Sequence, residues 1–110
     1  MKLLTTQEML DEIMDSFDFQ KVATVMEILK WKVYLGNEVY KVPDESELRR
    51  LARRDIKSLI ENTETSVEDF HWTQCGPFKI TLLKEGGLIT SITLDFVVTS
   101  TFVENTDELF

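Results

Sequence analysis

A single cysteine, a single histidine, two prolines and four glycines are all that this 110-residue chain contains of those residue types. One cysteine excludes an internal disulfide and fits a reducing compartment. With only one histidine beside it there is no Cys/His zinc cluster, so no metal is expected. Glycine is too scarce for a phosphate-cradling loop, and the one adjacent pair, Gly86-Gly87, is a hairpin signal. Long apolar runs are missing too, since stretches such as "FVV" fall far short of the roughly 20 residues that span a bilayer. The opening "MKLLTTQEML" has neither the apolar centre nor the cleavage site of a signal peptide, so the expected location is cytoplasmic. No cofactor is expected, most enzyme classes fall away, and the chain is expected not to be an enzyme.

What is present reads as one compact domain. A content of 43% hydrophobic and 29% charged residues is ordinary for a folded chain, so disorder is not implied. Residues 1–103 are expected to form a single domain and 104–110 a flexible acidic tail. The formal net charge of −8 disfavours nucleic acid and anionic membrane as partners. One stretch runs against that balance: "LRRLARRDIKSLI" packs five of the twelve cations between Arg49 and Lys57.

The local signals are clearest at the helices. In "TTQEMLDEIMDS", Thr5 can cap a helix with Glu8 as its capping-box partner, and Leu10, Ile13, Met14 and Phe17 recur at helical spacing. Asp18 caps a second helix from about Phe19 to Lys30, with Phe17 placed to staple onto Val22. "WKVYLGNEVYKV" alternates β-forming residues around Gly36-Asn37, predicting strands near 32–35 and 38–42. Pro43 ends that strand. Asp44 and Glu47 then form a second capping box, opening a helix from about Glu45 to Glu61. Its apolar stripe is Leu48, Leu51, Ala52, Ile56, Leu59 and Ile60.

Residues 62–77 read as a loop with a short extended piece around Phe70 to Trp72. Beyond it, "FKITLL", a glycine turn and "LITSITLDFVVTSTFVE" predict strands. Leu88, Ile92, Leu94, Phe96, Val98 and Phe102 fall on one face, and Ser91, Thr93, Asp95, Thr99 and Thr101 on the other. The fold class is therefore α+β. Two N-terminal helices, a short hairpin and a third amphipathic helix precede an antiparallel sheet of three to four strands that the helices cover.

The order of "FDFQKVATVMEILKWKV", "VPDESELRRLA", "CGPFKI", "GGL" and "LDFVVTSTFVE" resembles a group of short uncharacterised proteins encoded in bacteriophage genomes. These share a helix ending in Trp, a Val-Pro-capped helix and a Gly-Phe hairpin. The resemblance implies a small phage- or prophage-encoded accessory protein. It brings no catalytic residues with it, because its motifs are structural punctuation.

Candidate functional residues concentrate on the third helix. At 100° per residue, Arg49, Arg50, Arg53, Arg54 and Lys57 spread over an arc of about 140°. Glu45, Glu47 and Glu61 stand at i±3 or i±4 as local partners, so the face is either salt-bridged for solubility or free to recognise an anion. Asp55 falls inside the apolar arc, where a carboxylate needs a partner. The margin of the core, Lys79 of the sheet or the second copy of a homodimer would each supply one. Trp72, in a polar stretch, is a candidate binding contact. Phe17, Phe19, Trp31 and Tyr34 read as core, and Asp11 and Asp15 as a solvated face. His71, Cys75 and Asp69 could be written as a base, nucleophile and orienter. The terminal "TDELF" resembles peptides that dock into the bacterial sliding clamp, with Thr106 where those carry Gln.

Three functions follow. The first is a non-catalytic accessory protein that binds and inhibits or redirects a host protein, for instance in counter-defence, within the host cytoplasm. The second is a sponge for an anionic nucleotide-like molecule held by the arginine face, with Trp72 or Tyr34 stacking. The third is an enzyme built on Cys75 and His71.

Overall fold

The computed structural model describes residues 4–97. The expected strand continuation through residues 98–103, the tail at 104–110 and its Leu-Phe end lie outside the described residues.

Both capping boxes form and set the starts of their helices. Helix α1 spans Thr6–Ser16. The Thr5 hydroxyl accepts from the Glu8 N–H at 3.1 Å, and the Glu8 carboxylate accepts from the Thr5 N–H at 3.0 Å. Asp18 accepts from the Lys21 N–H at 3.0 Å and starts α2, Phe19–Leu29, which ends on left-handed Lys30. Helix α3, Glu45–Asn62, opens on Asp44 with Glu47 reciprocating, through contacts of 2.8 and 3.0 Å. Each cap satisfies N–H groups that the helix cannot satisfy itself, contributing about 1 kcal/mol.

Between α2 and α3 lies the hairpin of β1, Val33–Gly36, and β2, Val39–Lys41. Its turn sits one residue later than the expected Gly36-Asn37. Asn37 and Glu38 both take positive φ, 51° and 63°, which is the two-residue turn whose twist suits a hairpin. Gly36, at φ 95°, absorbs the irregularity between Tyr34 and Gly36 in the ladder. Glycine is thus used for a bulge, not for the turn.

The main sheet is antiparallel in the order β3-β4-β5: Phe70–Cys75, Phe78–Glu85 and Leu88–Phe96. Phe78, Ile80 and Leu82 point inward from the central strand and are fully buried against Leu48, Ala52 and Ile56 of α3 and Phe19, Val22 and Met26 of α2. Phe17, Phe19 and Phe78 meet edge to face, with ring centroids 4.8 to 5.9 Å apart. The architecture is α+β, with helices on one face of the sheet.

Two features of the sheet depart from expectation. Strand β3 occupies much of the stretch expected to be loop. Its inward positions, His71, Thr73 and Cys75, are polar or small, so the period-2 signal was masked. In β5, Leu83 pairs Ser91 but Lys84 pairs Ile89, leaving Thr90 as an extra residue. That bulge turns Ile89 toward the core and Leu88 outward, 69% exposed, opposite to a strict alternation.

The fourth inward residue of β4 is Lys84, 5% exposed. Its ammonium donates to the Thr63 carbonyl at 2.6 Å and to the Ser66 carbonyl at 2.9 Å. Thr63 is the C-cap of α3, so the lysine satisfies a carbonyl at the negative end of the helix dipole. Its backbone N–H also bonds the Asp69 carbonyl at 2.7 Å, fixing the entry into β3. Lys84→Met keeps the aliphatic length and removes the donors, so that the Ser66 carbonyl loses its lysine partner and the Thr63 carbonyl, stripped of its charged donor, keeps only the Ser66 N–H at 3.1 Å. The expected loss is about 2–4 kcal/mol, read as a lower midpoint in chemical denaturation.

Candidate functional site

Helix α3 fixes where the candidate cations can point. Its buried side is Leu48, Leu51, Ala52, Asp55, Ile56 and Leu59. At 100° per residue, Arg50, Arg53, Arg54 and Lys57 centre on the opposite side, facing away from the sheet.

The five cations divide into three groups. Arg49, at the edge of the buried side, is committed within the fold. It donates to Glu45 at 3.0 and 3.3 Å and to the Met14 carbonyl at 3.0 Å, and its guanidinium lies 4.9 Å from the centre of the Phe19 ring. Met14 is in the last turn of α1, so Arg49 supplies a donor to an otherwise orphaned helix-end carbonyl. Arg54 donates from Nε to Asp55 Oδ1 at 3.2 Å while remaining 62% exposed along its side chain.

Arg50, Arg53 and Lys57 are exposed and make no hydrogen bond or ion pair among the described residues. The partners expected for them are engaged elsewhere or turned away. Glu47 spends its carboxylate on the Asp44 N–H and on Lys41 at 3.1 Å, and Glu61 forms no bridge to Lys57.

Asp55 is buried, 9% exposed, as its place in the apolar arc required. Its cation is the adjacent Arg54, not Lys79. Lys79 lies on the outer face of the sheet, with its ammonium 5.4 Å from the Trp72 ring centre. Trp72 is 56% exposed there, beside Phe70 at 54% and Leu83 at 40%. The cation ridge and Trp72 therefore occupy opposite surfaces, and no single ligand joins them.

His71 and Cys75 face the same side of β3, but four residues of extended chain hold them about 13 Å apart. The His71 Nε2 instead lies 3.1 Å from the Glu68 carbonyl. Cys75 meets a different neighbour. Burial raises its thiol pKa above the ordinary value, and the nearby Asp55 charge adds to the rise. The thiol is kept protonated, the opposite of what activates a cysteine nucleophile.

Asp55 and Cys75 line a cavity of about 330 Å³ between α3 and the hairpin, together with Trp31, Lys32, Tyr34 and Arg54. Trp31 is half-buried and packs against the core, as its reading as a core residue expects, whereas Tyr34, read the same way, does not. The alternation that buries Val33 turns Tyr34 out to 61% exposure, and that signal was available in the adjacency of the two residues. Among the described residues no group of three side chains is arranged to hold a metal, and no helix is long and apolar enough to cross a membrane. Comparison with protein-family models, curated proteins and solved structures finds no match.

Two outcomes check these assignments. Arg49→Ala should cost about 1–2 kcal/mol through its lost hydrogen bonds, whereas Arg50→Ala and Arg53→Ala should stay within about 0.5 kcal/mol of the parent, all read by urea denaturation. For Cys75, the fold favours the neutral thiol. Its contribution to stability is full below the pKa of an unfolded thiol, about 8.5, and is lost as pH rises through the folded value. Asp55→Asn removes a charge that raises that value. The thiolate absorbance of the folded variant should therefore appear at lower pH than in the parent.

Proposed function

We propose that this chain is a non-catalytic binding protein that docks an acidic surface of a partner protein onto the ridge formed by Arg50, Arg53 and Lys57. The observation carrying this reading is that the three cations project from the solvent side of a capped, well-packed helix with no acid paired to them among the described residues, in a chain of net charge −8. Spaced at i, i+3 and i+7, they form one row, held by a helix whose other side is locked into the core. A row of cations on a rigid element attracts a complementary negative patch and orients it, while the acidic remainder repels nucleic acid and anionic lipid. Arg54 flanks the row and Arg49 braces it from below.

The resemblance to phage-encoded proteins supports an accessory role against a host protein in the host cytoplasm, for instance in counter-defence. Leaving Cys75 protonated and apart from His71 favours binding over a Cys/His enzyme.

Affinity capture from bacterial lysate tests the reading. The parent chain should retain a defined partner at 50 mM NaCl. The triple variant Arg50→Glu, Arg53→Glu, Lys57→Glu should lose it by about tenfold or more while keeping the parent's circular dichroism, since exposed pairs of this kind steer association and are screened by salt. Equal retention by the parent and the folded triple variant would overturn the assignment of the ridge.

A further inference from the structure

Away from the cation ridge, the cavity between α3 and the hairpin joins three kinds of chemistry in a space of about 330 Å³, near the lower end of small-molecule pockets. Asp55 is 9% exposed and offers a fixed acceptor there. Arg54 engages one of its oxygens through Nε, and the two terminal guanidinium nitrogens of Arg54 have no partner among the described residues. Lys32, exposed on the same cavity, makes no hydrogen bond or ion pair among the described residues either, so the lining carries two cations against one carboxylate. Trp31 and Tyr34 supply aromatic surface.

We infer that this cavity binds a nucleoside monophosphate whose base presents adjacent N–H donors, the chemistry of guanine. Each part of such a molecule meets a group that lines the cavity. The buried carboxylate accepts the N1–H and the exocyclic amine, whereas adenine would turn a ring acceptor toward it and be repelled. The planar base lies against Trp31 or Tyr34, whose faces take a flat ring without orienting groups. The phosphate meets the free guanidinium nitrogens of Arg54 and the Lys32 ammonium at the mouth. Cys75 stays protonated and adds no charge against the phosphate. Arg54 therefore has two roles, pairing with Asp55 at the base of the cavity through Nε and presenting its remaining donors outward. The site is independent of the ridge.

Titration calorimetry with guanosine 5′-monophosphate tests this on the whole chain, with adenosine 5′-monophosphate, guanosine and inorganic phosphate as comparison probes. Saturable binding of guanosine 5′-monophosphate is expected, with each comparison probe at least about tenfold weaker, the equivalent of one lost charge-assisted hydrogen bond. Arg54→Ala should weaken it about tenfold or more. Tyr34→Ala, at a position 61% exposed whose hydroxyl accepts only the Glu38 N–H of the hairpin turn, should weaken it severalfold in protein that keeps the parent's circular dichroism. In folded Asp55→Asn the preference over adenosine 5′-monophosphate should disappear. No saturable binding by the parent would overturn the inference. So would binding that survives Arg54→Ala and Tyr34→Ala but is lost in the triple ridge variant.

Discussion

The buried ammonium of Lys84 is the contact on which the layout of this fold turns. A strand and a helix can pack by apolar contact alone, but apolar contact does not fix where the helix ends relative to the strand. By donating to the carbonyls of Thr63 and Ser66, Lys84 holds the C-terminal end of α3 over the far end of β4. The chain that follows, through Asp69 into β3, is tied to the same residue by its backbone. At the opposite end, Asp44 and Glu47 fix the start of the helix. A helix anchored at both ends has one rotational setting. That setting sends Arg50, Arg53 and Lys57 outward and puts Asp55 against the cavity.

The arginine cluster is therefore not one device. Its members are sorted by the angle at which each leaves the helix. The one nearest the core braces a neighbouring helix end, the one beside Asp55 neutralises a buried acid, and the remaining three cations meet water. A helix with the same residues rotated by one position would give each arginine a different job.

Much of this was legible in the sequence, and the parts that were not share a cause. The two capping boxes, the starts of all three helices and the burial of Asp55 depend on neighbours within four residues, where side-chain reach is set by local geometry. Strand β3 was hidden because the residues it turns inward are His71, Thr73 and Cys75. The role of Lys84 was hidden because its partners lie 18 and 21 residues away, although its place after Phe78, Ile80 and Leu82 in a period-2 run already pointed it inward. The partner of Asp55 was missed for a different reason. Adjacent helical residues leave the axis 100° apart and do not face each other, and only the length of the arginine side chain lets Arg54 fold back. The candidate cavity needed a long-range fact as well, the docking of the hairpin beside α3.

The bulge in β5 has a consequence for how this chain can change over generations. Thr90 is the unpaired residue between Ser91, opposite Leu83, and Ile89, opposite Lys84. Deleting it would leave every other partner in the ladder where it stands and every side chain on its present face. A one-residue deletion between Ile92 and Phe96 would instead shift the pairing of part of the strand and send its apolar side chains into water. Thr90 is thus a place where the sheet tolerates loss of a codon, and the spare residue could have entered there without disturbing a core already built.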